Sequence, residues 1–120
     1  MATAEQTVSA VLESTNKRYV VEIWKSEDGK NGFTKYSDGW IEQYGVIDNV
    51  SGVSDGSFKT QTLHTEFATT NYIVNTTIDS WIWTYARPKD TANFEYNVLY
   101  STGDAVTSSN HPMYWSAQGY

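Results

Sequence analysis

The sequence predicts an all-β domain, an antiparallel β-sandwich with a short N-terminal helical or stem segment. Three observations carry this. Eighteen of the 120 residues are aromatic and only three are Leu. Helical bundles draw on Leu, Ala, Glu, Lys and Arg, whereas Tyr, Trp and Phe suit a half-buried pleated surface. Ser, Thr, Asn and Gln supply 39 further residues, a composition for polar strand faces and turns. From Tyr19 onward, short apolar or alternating runs are separated by clusters of Gly, Asp, Asn and Ser, the spacing of a sandwich. Length allows one domain. Leu, Ile, Val and Phe total only 23 residues, but five Trp and nine Tyr supply the apolar area that a core needs.

In chain order, residues 3–16 stand apart. Ala4, Val8, Val11 and Thr15 fall at spacings of four, three and four, the seam of a short helix with Thr3 as its N-cap. A helix of ~14 residues is marginal alone, so this segment either packs on partner chains or a sheet, or frays. Tyr19–Trp24 reads as the first strand. Glu27 to Gly32 holds Asp-Gly and Asn-Gly turn signals. Phe33–Tyr36 and Trp40–Val46 flank Ser37-Asp38-Gly39 and form a hairpin. Asp48–Ser57 is a loop. Phe58–Phe67, Asn71–Ile78 and Trp81–Arg87 are strands, the last ending at the turn Pro88-Lys89-Asp90. Phe94–Ser101 alternates, with Phe94, Tyr96, Val98 and Tyr100 on one face. Thr102–Pro112 is a polar loop, and Met113–Tyr120 is the last strand.

The net charge is −6 and the eight Lys and Arg are scattered. No basic stripe exists to neutralise phosphates, which argues against nucleic acid and against anionic membrane surfaces. No run approaches 18 apolar residues. Cys is absent, which excludes disulfides and thiolate metal sites. The start, Met1-Ala2-Thr3-Ala4, lacks the basic and apolar regions of a signal peptide, and reads as an intracellularly made protein or a piece of a longer chain.

Catalytic motifs are missing. Asp28, Asp38, Asp55 and Asp90 sit in turns, where Asp bonds its own backbone. A glycosidase pair such as Glu42 with Glu66 is conceivable, but nothing in its spacing supports it. His64 and His111 are lone histidines without a local metal-binding partner. A nucleophile elbow, a phosphate loop and a calcium loop are absent from the sequence. A non-enzymatic binding or structural module is expected, with no metal and no cofactor.

Trp81, Trp83 and Tyr85 alternate, so they project from one strand face. Either they are sandwich core with Ile82, Thr84 and Ala86 outside, or they form an aromatic platform with Ile82 inside. Aromatic rows are usually buried, which favours core. Exposed, such rings would stack on the apolar faces of sugars. Three loops are candidate binding loops: Asp48–Ser57, Arg87–Asn93 and Thr102–Pro112. Arg87, Lys89, Asn110 and His111 are their polar groups best suited to a hydroxylated or anionic ligand. The candidate ligand-binding set is therefore Trp81, Trp83, Tyr85, Arg87, Lys89, Asn110 and His111.

The run Asn31 to Gly45 resembles the opening of the C-terminal domain of bacteriophage and prophage tail fibres. Ten positions match that family's pattern: Asn31, Gly32, Phe33, Lys35, Tyr36, Gly39, Ile41, Gln43, Tyr44 and Gly45. Phe67 with Asn71-Tyr72-Ile73-Val74 is similar to the family's next strand. Thr91-Ala92-Asn93-Phe94 sits where the family often has Thr-x-Gly-Phe, with Asn93, another residue that tolerates the left-handed region, in the Gly place. Trp115-Ser116-Ala117-Gln118-Gly119-Tyr120 looks like the family's Trp-x-Ala-x-Gly terminus. The resemblance spans residues 31–120 and leaves 1–30 as stem junction or first strand.

The resemblance implies a homotrimeric tip of a virion tail fibre, made in the host bacterial cytoplasm. It implies adhesion to a bacterial surface polysaccharide or outer-membrane protein. It transfers no binding residues, because the matching positions look like framework. A free carbohydrate-binding module and a trimerisation or capping domain without a ligand are the alternatives.

Overall fold

The computed structural model describes residues 18–53, 57–78, 81–106 and 111–120. The expected helix at 3–16, the Asp55-Gly56 turn and Asn110 lie outside the described residues. Eight strands are described: β1 (Val20–Lys25), β2 (Gly32–Tyr36), β3 (Ile41–Ile47), β4 (Lys59–Thr62), β5 (Ile73–Thr77), β6 (Ile82–Pro88), β7 (Asn93–Tyr100) and β8 (Met113–Gly119). They form a five-stranded sheet in the order β1-β2-β3-β8-β5 and a three-stranded sheet in the order β4-β7-β6. Every strand pairing is antiparallel. The domain is all-β, as the composition predicts.

The core lies between the sheets. Phe94, Tyr96 and Val98 of β7 face Met113, Trp115 and Ala117 of β8, and all six are buried. The Phe94 and Trp115 rings meet at 5.1 Å between centroids. Phe67 stacks on Tyr72 at 4.3 Å. The alternation in β7 has two departures: Tyr100, expected on the inner face, is 40% exposed, and Asn97 points to the outer side yet is buried. Its Oδ1 accepts from the Val53 amide and its Nδ2 donates to the Val53 carbonyl, each at 2.9 Å. The 50–53 segment is thereby strapped across β7.

The expected strand Phe58–Phe67 keeps its order only over Lys59–Thr62. Beyond it, Leu63 and Phe67 donate their amides to the Ala92 and Thr91 carbonyls. The Gln43 side chain takes over the intervening backbone. Its Oε1 accepts from the His64 and Thr65 amides, and its Nε2 donates to the Thr65 carbonyl at 2.9 Å.

The matching motif positions have structural reasons. Gly45 pairs with Trp115 across β3 and β8. A Cβ at Gly45 would stand 2.6 Å from the Trp115 indole, so the first motif needs Gly where the last supplies Trp. Gly39 turns β2 into β3 at φ 93°, a conformation that favours glycine. Asn93 departs from expectation. Among the described residues the left-handed non-glycine residue is Asn49, at φ 51°. Asn93 instead opens β7, and its side chain donates to the Asp90 carboxylate and accepts from the Thr62 hydroxyl.

The registers sort the connections by end. Ile41 opposes Gly119 and Pro88 opposes Phe94, so the 37–40 turn, the 63–72 segment, the 88–92 turn and Tyr120 share one end. Ile47 opposes Met113 and Ile82 opposes Tyr100, so the 48–53 and 101–106 segments and the residues on either side of 79–80 share the other. Arg18, just before β1, sits at the first end, with its guanidinium 2.7 Å from the Asp38 carboxylate.

Candidate functional site

The outer face of the three-stranded sheet is the first candidate. β6 alternates along its whole length. Ile82 and Ala86 pack against the core, and the Thr84 hydroxyl accepts a 2.8 Å hydrogen bond from Thr76 of the opposite sheet. Trp81, Trp83 and Tyr85 therefore face outward, 80%, 55% and 47% exposed. This overturns the core reading of the row. The Thr76–Thr84 hydrogen bond fixes Thr84, and with it Ile82 and Ala86, on the side of β6 that faces β5. Residues two apart on a strand are separated by ~6.7 Å, so the row runs ~13 Å.

The row continues into charged side chains on the same face. Register aligns Tyr85 with Asn97 and Arg87 with Glu95, and Glu95 with Thr60. Arg87 and Glu95 form an ion pair at 2.5 Å. The Arg87 guanidinium also lies 4.4 Å from the centroid of the Phe58 ring, a cation–π contact. The Lys89 ammonium donates to the Thr60 hydroxyl at 3.0 Å. Rings, a fixed cation, a carboxylate and hydroxyls thus share one face.

The predicted residues do not all converge. Trp81, Trp83, Tyr85 and Arg87 form the row, and Lys89 lies just past its Arg87 end. His111 precedes β8, at the Trp81 end of the sandwich. Of the three expected binding loops, the one after Arg87 is at one end and the other two are at the opposite end. Those two are joined to each other: the Gly52 amide donates to the Val106 carbonyl at 2.7 Å.

Two further depressions escaped the motif search. One is a recess of about 250 Å³ lined by Glu22, Trp24, Phe33 and His64. It lies on the inner side of β1 and β2, because register aligns Trp24, Phe33 and Gln43 on that face. The His64 ring lies between Trp24 and Trp115, at 5.2 and 5.1 Å. Its Nε2–H donates to the Tyr44 carbonyl at 2.8 Å.

The other is a groove of about 460 Å³ on the outer face of the five-stranded sheet, with Trp40, Glu42, Tyr44, Ser116 and Gln118 among its lining residues. The Trp40 indole N–H donates to Glu42 at 3.1 Å. Tyr120 packs edge-on against Trp40 at 5.1 Å, and Arg18 stands over the same indole. Burial opposes charge on Asp38 beside this cluster. The Trp40 amide and the Arg18 guanidinium outweigh it and hold the carboxyl below the usual carboxylate range. The i, i+2, i+4 spacing of Trp40, Glu42 and Tyr44 was the available sequence signal for this face.

Glu42 and Glu66 have separate partners. Glu42 accepts from Trp40, while Glu66 accepts from the Thr91 hydroxyl. Among the described residues no group of three His, Asp or Glu side chains is placed to hold a metal ion, and no helix is long and apolar enough to cross a membrane.

No protein-family model and no curated protein matches the sequence. Solved structures do match over the whole chain. One is an N-truncated R1-type pyocin tail fibre: TM-score 0.55, 16% identity, all of this chain and 98% of that one. A second is a C-terminal fibre segment of the R1 pyocin of P. aeruginosa: TM-score 0.57, 17% identity, all of this chain and 32% of that one. A third is an N-truncated R2-type pyocin tail fibre: TM-score 0.58, 20% identity, all of this chain and 44% of that one. The chain has the fold of these tail-fibre segments, the fold that its motifs implied, and it spans under half the length of the second and third.

Proposed function

We propose that this chain is the distal domain of a homotrimeric phage or pyocin-like tail fibre, located at the tail tip of the particle, that attaches without catalysis to a glycan on a bacterial surface. The observation that carries the ligand class is the exposed row Trp81, Trp83 and Tyr85. Rings held at the surface by a rigid strand can stack on the apolar faces of successive sugars. Asn, Thr, Arg87 and Glu95 beside them can bond hydroxyls. The conformational cost of binding is low, because Trp and Tyr have few rotatable bonds. Weak single contacts become useful when several sites engage at once.

The ordered motif set and the shared tail-fibre fold support the fibre setting. Arg18 enters at the end opposite Trp81, so a stem preceding it would leave the 48–53, 101–106 and Trp81 end pointing outward. An outer-membrane protein is the other receptor class open to a fibre tip, and the row favours sugar.

The test is binding of the labelled protein to bacteria and to a glycan array, for wild type and for a Trp81→Ala/Trp83→Ala variant. Both side chains are solvent-exposed, so the variant should fold. Its binding should fall at least tenfold while its mass in solution stays that of wild type. Unchanged binding would remove the row from the site. Loss of assembly with the fold intact would make the row a subunit seam, as a capping domain without a ligand requires. Release of reducing sugar from host polysaccharide would contradict the non-catalytic reading.

A further inference from the structure

Resting on the glycan reading above for its ligand class but not on the β6 row, we propose that the groove on the outer face of the five-stranded sheet is a second saccharide site. Its ligand is an uncharged stretch of glycan, bound on the side of the sandwich opposite the row.

The floor of the groove comes from two paired strands. Ile41, Gln43 and Gly45 of β3 are buried on the inner side, as are Met113, Trp115 and Ala117 of β8. Glu42, Tyr44, Ser116 and Gln118 therefore face outward. Register sets Glu42 beside Gln118 and Tyr44 beside Ser116. The same rows run on into Ile73 and Asn75 of β5, both exposed. One row offers a carboxylate, an amide and methyl groups. The other offers a phenol, a hydroxyl and an amide.

The walls are held in place before any ligand arrives. The Trp40 indole N–H donates to Glu42 at 3.1 Å, and the other Glu42 oxygen accepts from the Tyr36 hydroxyl at 3.4 Å. Tyr120 packs on the Trp40 ring at 5.1 Å, and the Arg18 guanidinium stands 5.5 Å from its centroid. Tyr44 leans over Gly32, where a Cβ would stand 2.8 Å from its hydroxyl. Rings fixed in this way lose little freedom on binding. The volume of about 460 Å³ lies within the roughly 300–1,000 Å³ of small-ligand sites.

The polar groups name the ligand class. Ser116 and Gln118 are half-buried. Their side chains, the Tyr44 hydroxyl and the Asn75 amide make no hydrogen bond to another described residue. An apolar partner would displace their water and leave them unsatisfied. A saccharide satisfies them with its hydroxyls while its C–H faces lie against the rings. Charge narrows the class further. Glu42 is the charged residue of the lining, and Arg18 beside Trp40 is committed to Asp38 at 2.7 Å. A carboxylated or phosphorylated sugar would bring like charge to Glu42. Two sites on opposite faces let one domain hold two neighbouring glycan chains, and double engagement slows release from a dense surface.

Trp40 at the groove and Trp81 and Trp83 on the row carry indole N–H groups whose NMR signals report the two sites separately. The isotope-labelled 120-residue chain is titrated with each neutral oligosaccharide that a glycan array retains, and with an acidic one of equal length. The Trp40 signal should move with a neutral oligosaccharide, and should still move in the Trp81→Ala/Trp83→Ala variant. The acidic oligosaccharide should bind the groove about tenfold more weakly. Ser116→Arg, which fills the groove, should abolish the Trp40 response while Trp81 and Trp83 still respond. Gln118→Ala removes an amide without a protein partner. It should weaken the response by about threefold with the circular dichroism unchanged. Movement of Trp81 and Trp83 without Trp40 overturns the groove and leaves the row standing. Movement of Trp40 alone overturns the row and leaves the groove. Equal binding of the acidic oligosaccharide at Trp40 overturns the uncharged class. A fall in the mass of Ser116→Arg by light scattering makes the groove a subunit seam and overturns this inference. No response at any of the three tryptophans overturns both sites.

Discussion

Gln43 closes three hydrogen bonds to the backbone at His64 and Thr65 from inside the sandwich, and it is 2% exposed. Its removal would leave a carbonyl and two amides without that partner. Gly45 acts through shape instead, making room for the Trp115 indole. Gly45→Ala should cost about 1–3 kcal/mol, the usual range for overpacking, readable as a lowered midpoint in urea. Tyr72 couples stability to pH. Its hydroxyl donates to the Asp90 and Asn93 carbonyls at 2.8 and 2.6 Å, and burial pushes its pKa up to about 12. A raised pKa means that its contribution is complete below the unfolded value of about 10 and is lost as pH rises through the folded one. Tyr72→Phe should therefore cost about 1–2 kcal/mol at pH 7, and that gap should narrow between pH 10 and 12. A gap independent of pH would contradict the linkage. Gln43, Gly45 and Trp115 were legible as framework because they sit on ordered motifs. Their partners were not, since a buried amide reaching a loop twenty residues away leaves no local pattern.

At the level of elements, strand order along the chain was readable from turns and alternation. The side of β6 that faces inward was not. Ile82, Thr84 and Ala86 read as a weak apolar face beside three large aromatics, and burial preference alone chooses the aromatics. The choice is reversed by β5, whose Thr76 hydroxyl donates to Thr84, so that Thr84 faces inward and the alternating aromatics face out. The prediction at this scale compares two tryptophans. Trp83→Ala, on the exposed face, should leave the thermal midpoint within a few degrees of wild type. Trp115→Ala, 3% exposed, should cost about 3–5 kcal/mol. Equal losses for both would place the β6 row in a buried interface. β4 shows a different limit: the pattern Phe58–Phe67 looks like one strand, yet side-chain and loop hydrogen bonds from Gln43 and residues 91–92 end it after Thr62.

Over the whole molecule, the antiparallel registers place Arg18, which leads into β1, and the most exposed member of the row, Trp81, at opposite ends. That arrangement suits a stem on one side and a target on the other. It divides the exposed apolar surface into two kinds: an aliphatic edge at β1 and an aromatic row on β6 beside charged groups. The sequence contained both sets, but only the paired strands reveal that neither belongs to the core. The measurement that tests the central claim most directly is binding of the labelled 120-residue chain to a panel of bacteria, paired with mutants of the bound strains that lack surface polysaccharide. The account predicts that binding disappears with the polysaccharide and falls at least tenfold in the Trp81→Ala/Trp83→Ala variant. Binding that persists undiminished on polysaccharide-free cells, or in that variant, would contradict it.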